Sequence, residues 1–236
     1  MNLILLFKED FVGSSKRVRI SGRRHEHITS IHRVSIGDEL CAGLADGKIG
    51  TGKVTSLGDG FLEMDVILTK DPPPPLPATL VLALPRPIVL RRIILTAASM
   101  GVKKILLIGS ARVEKSYWQS PALKDPAIKE QLILGLEQAK DTSMPRVLLR
   151  KLFKPFVEDE LPSIVKGTLA IAAHPESPEA CPRAVAGPVT LAVGPEGGFV
   201  PYETEKLRGA GFSLVNMGER ILRVETAIPA LLSRLF

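Results

Sequence analysis

Cysteine is scarce in this chain of 236 residues: Cys41 and Cys181 are the only two, far apart and without metal-ligand neighbours. That count excludes a disulfide framework and a thiolate zinc site, since each needs paired or clustered sulfurs. The four histidines, His25, His27, His32 and His174, form no H-E-x-x-H pattern, so no metal centre is expected. Long apolar runs are missing too: none reaches the roughly 18 residues that a membrane span requires. Met1 to Phe7 lacks the basic leader and long apolar core of a signal peptide. A cytoplasmic protein is expected, with Asn2 to Phe7 as its first strand. Neither G-x-G-x-x-G nor G-x-x-x-x-G-K-[ST] occurs between a strand and a helix, which disfavours a metabolic enzyme built on a nucleotide phosphate loop.

Hydrophobic residues make up 45% of the chain, enough for one sizeable core and a smaller one. The net charge of +6 favours an anionic partner, but it is unevenly spread. Residues 1–75 hold ten Lys/Arg and ten Asp/Glu. Within them, Lys16, Arg17, Arg19, Arg23, Arg24 and Arg33 stand against the single acid Glu26 across residues 16–33. This local basic patch reads as a phosphate-contacting surface, with a merely solvated face as the bland alternative.

The clearest boundary is Asp71-Pro72-Pro73-Pro74-Pro75-Leu76-Pro77, with five prolines in six positions. Proline removes backbone donors and favours extended geometry, so residues 72–77 read as a semi-rigid linker. Residues 1–71 show short alternating segments at 17–20, 39–45, 48–57 and 61–68, separated by turn pairs, with one short helix over 25–32. A small antiparallel β-barrel fits that pattern. Residues 78–236 alternate strands (79–84, 104–108, 146–149, 167–173, 189–193, 213–215) with helices (87–100, 126–141, 202–209, 224–235), which predicts an α/β domain with a parallel sheet. Pro229 predicts a kink in the last helix or a later start to it. That helix reads as core rather than as a dimer face.

Two of the predicted strands end in glycine-bearing loops. The first is Gly194-Pro195-Glu196-Gly197-Gly198-Phe199 and the second runs from Asn216 through Met217, Gly218 and Arg223 to Ala227. In open α/β sheets, ligands collect where the loops after neighbouring strands converge. Glycines let bare backbone approach such a ligand, although a plain strand-to-helix turn would use them as well.

The wording of these loops resembles the RsmE family of 16S ribosomal RNA (uracil N3) methyltransferases. The similarity continues through His27, Arg33-Val34, Gly37-Asp38, Met100 to Ile105 and Glu137-Gln138. It implies a PUA-like barrel followed by a SPOUT-type domain with a C-terminal trefoil knot, and a homodimer acting on 16S rRNA or the 30S subunit. It also implies S-adenosylmethionine as cofactor, without metal or membrane. Carried onto this chain, it places Gly194, Pro195, Glu196, Gly197, Met217, Gly218, Ile221, Leu222, Thr226 and Ala227 around the cofactor, with Ala172 and Ala173 as a third wall and His174 near the entrance. Arg223 is the candidate to stabilise a uracil anion, with bracing by Glu196 or Glu225 as its structural alternative. Arg17, Arg19, Arg23, Arg24 and Arg33 become candidate RNA contacts.

Some positions depart from the family's usual residues. Thr96 and Ser99 replace a lysine and a glutamate, Glu219 a proline and Val224 a threonine, and Ala139-Lys140-Asp141 a small residue followed by glycine and arginine. These changes spare the expected cofactor loops and touch the expected RNA-facing surface. A non-catalytic or retargeted RNA-binding protein of the same fold is the competing expectation.

Overall fold

A computed structural model describes residues 2–13, 16–31 and 33–236. His32, counted above in the first helix, lies outside the described residues. The chain divides into two compact units, Met1–Pro74 with Ile133–Met144, and Pro75–Leu132 with Pro145–Phe236.

The first unit is a five-stranded sheet made of β1 (Ile4–Leu6), β2 (Arg17–Ser21), β3 (Glu39–Leu44), β4 (Ile49–Gly58) and β5 (Phe61–Lys70), with helix α1 (Gly22–Ile31) following β2. Its order is β1-β3-β4-β5-β2. The expected antiparallel sheet carries one exception: β1 pairs with β3 in parallel, because a long excursion through β2 and α1 returns the chain in the same direction. The other pairings are antiparallel. Strand alternation sends Ile4 and Leu6 into one core with Val18, Ile20, Ile28 and Met64, and Leu3 and Leu5 into another with Ile49 and Leu136. The uninterrupted Leu3 to Leu6 run is therefore a strand buried on both faces, and residues 133–144 supply the second cover. Glu137, 2% exposed, accepts from Leu5 N–H at 3.4 Å and from Arg23 at 2.9 Å.

The second unit is a six-stranded sheet of β6 (Leu76–Ala83), β7 (Val102–Ile108), β8 (Arg146–Arg150), β9 (Leu169–Ala173), β10 (Val189–Val193) and β11 (Ser213–Val215). Its order is β11-β9-β10-β6-β7-β8 with every pair parallel. Strand β6 starts inside the predicted linker. Pro77 is accommodated because the β6–β7 ladder is irregular between Leu76 and Thr79, where no donor is needed. Helix α2 (Pro87–Ser99) begins with proline at its first position and ends before Gly101, whose φ of +85° only glycine adopts cheaply. Helix α3 (Asp125–Ala139) follows β7.

Between β8 and β9 lies a helical stretch not foreseen from the sequence: α4 (Phe153–Pro155), a π turn over Phe156–Glu160 and α5 (Leu161–Val165). Pro155, Pro162 and three consecutive acids mask its periodicity, yet Phe156, Val157 and Leu161 are core residues beside Val81, Leu106 and Ala192. The alternate strand residues Leu80, Leu82, Ile105 and Leu107 are buried as well, so both faces of this sheet are covered. Helices α6 (Pro201–Gly209) and α7 (Val224–Leu235) complete the unit. Despite Pro229, α7 starts at Val224. Proline at the sixth helical residue forgoes a single bond, to the Glu225 carbonyl, which leaves the start untouched. No helix among the described residues is long and apolar enough to cross a membrane.

Candidate functional site

Strand order reverses at β6: β7 and β8 extend one way from it, and β10, β9 and β11 the other. Ligand crevices form outside the carboxyl ends of strands at such a switch point. A cavity of about 770 Å³ opens there, lined by the segments that follow β6, β9, β10 and β11. Its volume is in the usual range for a small-molecule or cofactor site.

The β10 loop folds back on itself. Gly198 N–H donates to Pro195 O at 2.8 Å, and Gly198 has φ +73°. A Cβ on Gly194 would stand 2.9 Å from Phe199 N and 3.1 Å from the Gly198 carbonyl carbon, so this glycine is required by close backbone approach rather than by positive φ. The only carboxylate in the loop, Glu196, accepts from Arg86 N–H at 3.0 Å and thereby ties the loop to the start of α2.

On the neighbouring side, Asn216 organises the second loop. Its Oδ1 accepts from Gly218 N–H at 2.8 Å and its Nδ2 donates to Ser177 O at 2.7 Å. Gly218 has φ +102°, which turns the chain toward the cavity.

Most of the residues expected from the sequence meet in this cavity. Ala173, His174, Gly194, Pro195, Glu196, Gly197, Met217, Gly218, Ile221, Leu222, Arg223 and Ala227 all line it. Ala172 does not. It is fully buried in the core opposite Ala192 and Leu214, because strand alternation points it to the other side of the sheet from Ala173. Thr226 is also exposed away from the cavity. The helical period brings Val224, Ala227 and Leu231 to the lining and carries residue 226 off that face.

Arg223 is the residue just before α7, and its carbonyl accepts from Thr226 N–H at 2.9 Å and Ala227 N–H at 2.8 Å. Its guanidinium is exposed and, among the described residues, has no ion pair. The bracing role toward Glu196 is therefore not seen; the Arg86 amide holds that carboxylate instead.

Several contributors were missed. Arg86 and Arg92 line the cavity from the loop before α2 and from α2 itself. The Tyr117 phenol, which donates to Glu114 at 3.1 Å, is held above its usual range first by burial and then by Glu114, with the charge of Arg86 opposing. Arg112 donates to the Gly197 carbonyl. Behind it, Glu203, 2% exposed, accepts from Ser110 Oγ at 3.0 Å, Ala111 N–H at 2.7 Å and Val200 N–H at 3.0 Å. One buried carboxylate thus locks the loop after β7 to the head of α6. Pro87, as a helix-start signal, was the one hint that Arg86 would sit at a strand's carboxyl end.

The arginines of the first unit behave differently. Arg17 pairs with Asp65 at 3.0 Å, Arg19 with Glu63 at 2.6 Å, Arg23 with Glu137 at 2.9 Å and Arg24 with Asp10 at 2.7 Å. Arg24 is further committed to Leu5 O at 2.7 Å and stacks over Phe7, so its geometry is that of an internal brace. Of the five, only Arg33 has no ion pair among the described residues; it is exposed, with φ 49°. No group of three or more His, Cys, Asp or Glu among the described residues is placed to hold a metal ion.

The sequence model of the family described as "RNA methyltransferase domain" matches residues 72–236. A ribosomal RNA small subunit methyltransferase E of Treponema pallidum is 29% identical over 232 residues, covering 96% of this chain and 87% of the relative. Among solved structures, a ribosomal RNA small subunit methyltransferase E of Neisseria gonorrhoeae bound to S-adenosylmethionine superposes with a TM-score of 0.74 at 20% identity, over 98% of this chain and 95% of the other. A methyltransferase of Legionella pneumophila in complex with the same cofactor gives 0.75 at 21% identity, over 99% and 96%. These two likenesses concern the fold.

Proposed function

Since this chain belongs to the family of RNA methyltransferase domains, we propose that it transfers a methyl group from S-adenosylmethionine to N3 of a uridine in 16S ribosomal RNA of the small subunit, in the cytoplasm. The observation that carries this reading is the convergence of the Gly194–Gly198 and Met217–Leu222 loops on one cavity, with Arg223, which has no ion pair among the described residues, on its wall.

The cavity suits the cofactor on its own terms. The tight backbone turn at Gly194 and the open main chain of Gly218 offer polar groups to an adenosine and an amino acid. Ile221, Leu222 and Val89 offer apolar surface to the adenine. Bound there, S-adenosylmethionine supplies an electrophilic methyl on a sulfonium that departs as a neutral thioether. Positioning is then the protein's main task. Glu196 and Asn216 keep the two loops in place through Arg86 N–H and Gly218 N–H. As uracil N3 gives up its proton to solvent water, negative charge grows on the base oxygens, and the Arg223 guanidinium stabilises it.

The trefoil knot and the homodimer belong to the same reading. The segment after β9 runs beside β11 and the end of α7, with Cys181 N–H to Asn216 O at 2.8 Å and Ala184 N–H to Arg234 O at 3.1 Å, which supports an entangled C-terminal region. Ile88 and Ile221, 64% and 82% exposed, give the cavity rim the apolar surface a second copy would cover. The test is to incubate undermethylated small ribosomal subunits with the protein and S-adenosylmethionine and to analyse the nucleosides by mass spectrometry. N3-methyluridine is expected. Its absence, with S-adenosylhomocysteine still bound in calorimetry, selects the competing reading of a non-catalytic or retargeted RNA-binding protein.

A further inference from the structure

We propose that Arg92 on α2 and Arg220 on the loop before α7 form a clamp for an RNA phosphate at the mouth of the cavity; this rests on the RNA methyltransferase reading above. The two side chains line the same cavity from different elements, both are exposed, and neither has an ion pair or side-chain hydrogen bond among the described residues.

The charge balance at the cavity points to an anion larger than the cofactor. Four arginines line it, Arg86, Arg92, Arg220 and Arg223, against two carboxylates, Glu196 and Glu225, an excess of two positive charges (4 − 2). Glu196 is engaged by the Arg86 amide, and the Arg86 charge acts on the Tyr117 phenol. S-adenosylmethionine carries a sulfonium, an ammonium and one carboxylate, so it needs at most one of these guanidiniums. Arg223 is assigned to the base. Arg92 and Arg220 are left over, and a phosphodiester is the anion that the acceptor brings beside its base.

The placement of Arg92 follows from α2. Val89, Leu90, Ile93, Ile94, Ala97 and Ala98 form its buried stripe. Ile88 and Arg92, four residues apart, share the other edge and reach the cavity mouth about one turn from each other. Thr96, one turn further on, is neutral, so Arg92 is the charge that α2 offers on this edge. On the facing loop, Glu219 does not line the cavity while Arg220 does.

The experiment measures binding of a 16S rRNA transcript to the full chain by filter retention over a range of KCl, with S-adenosylhomocysteine affinity measured by calorimetry. Arg92→Gln and Arg220→Gln should each lower the slope of log K against log salt, and the double variant should lower it by about 0.7–0.9 in all, the release expected of one neutralised phosphate. S-adenosylhomocysteine affinity should stay at the wild-type value, and Arg92→Lys and Arg220→Lys should restore most of the slope. An unchanged slope in both Gln variants, or a parallel loss of cofactor affinity, overturns the clamp. A wild-type chain with no salt-dependent RNA binding overturns instead the reading on which the clamp rests.

Discussion

Four of the five arginines of the first unit and three of the four around the cavity of the second are all signals of an anionic partner in the sequence, but the fold treats them in opposite ways. Arg17, Arg19, Arg23 and Arg24 each face a carboxylate, whereas Arg92, Arg220 and Arg223 face none among the described residues. A guanidinium already neutralised by a neighbour contributes little counterion release when RNA arrives, and freeing it costs the pair. An unpaired one meets a phosphate or a developing anion at full charge. Clustering in the sequence is therefore weaker evidence of a nucleic-acid surface than what the fold places opposite each cation.

The largest expected effect tests the unpaired side. Arg223→Ala should lower kcat by about 10²–10³, or roughly 3–4 kcal/mol of transition-state stabilisation, the range seen when one donor to a developing anion is lost. Cofactor affinity by calorimetry should move far less. Equal losses in both would return Arg223 to a structural role and remove its contrast with the first-unit arginines.

Next comes the most enclosed member of the paired set. The Arg24 side chain is 17% exposed and Asp10 8%, and the two are joined by two bonds of 2.7 Å. Asp10 also accepts from Phe7 N–H at 2.7 Å, and Arg24 donates to Leu5 O. Arg24→Met keeps the stem and removes the charge, leaving a buried carboxylate short of a partner, and should destabilise the protein by about 3 kcal/mol in urea unfolding followed by circular dichroism. An unchanged midpoint would mean that Arg24 is no brace and is available to RNA after all.

These contrasts show where the sequence was readable. Each predicted strand and helix of the second unit reappears within a few residues, because periods of two and 3.6 are local properties, and the two glycine loops converge because strand ends in a parallel sheet share one edge. What escaped was non-local. Counting residues 16–33 found one acid, yet the partners of the four arginines sit at 10, 63, 65 and 137, brought in by β5 register and by residues 133–144 packing on β1. Ala172 and Thr226, expected at the cofactor, fall one position off the cavity lining, the expected error when a loop motif is extended into a strand or helix whose faces alternate. Arg92 went unnoticed because its helix reads as apolar core, and nothing in a buried stripe says where the remaining edge opens.

The smallest effect is expected at the exposed pair Arg17–Asp65. Both side chains are about half exposed, at 46% and 51%, and the Arg17 guanidinium is held above its ordinary range first by its hydrogen bond to Asp65 and then by the charge of that carboxylate. Because folding raises this pKa, its contribution to stability is present at every pH where the guanidinium is charged, and it fades only as pH rises through the arginine range. Near neutrality, water and salt screen the pair. Arg17→Gln should leave the urea midpoint and the RNA salt slope at their wild-type values, while the same substitution at Arg92 lowers the slope. If Arg17→Gln lowers the slope as much, the pair opens on binding, and RNA reads the first unit through charges that the free protein keeps covered.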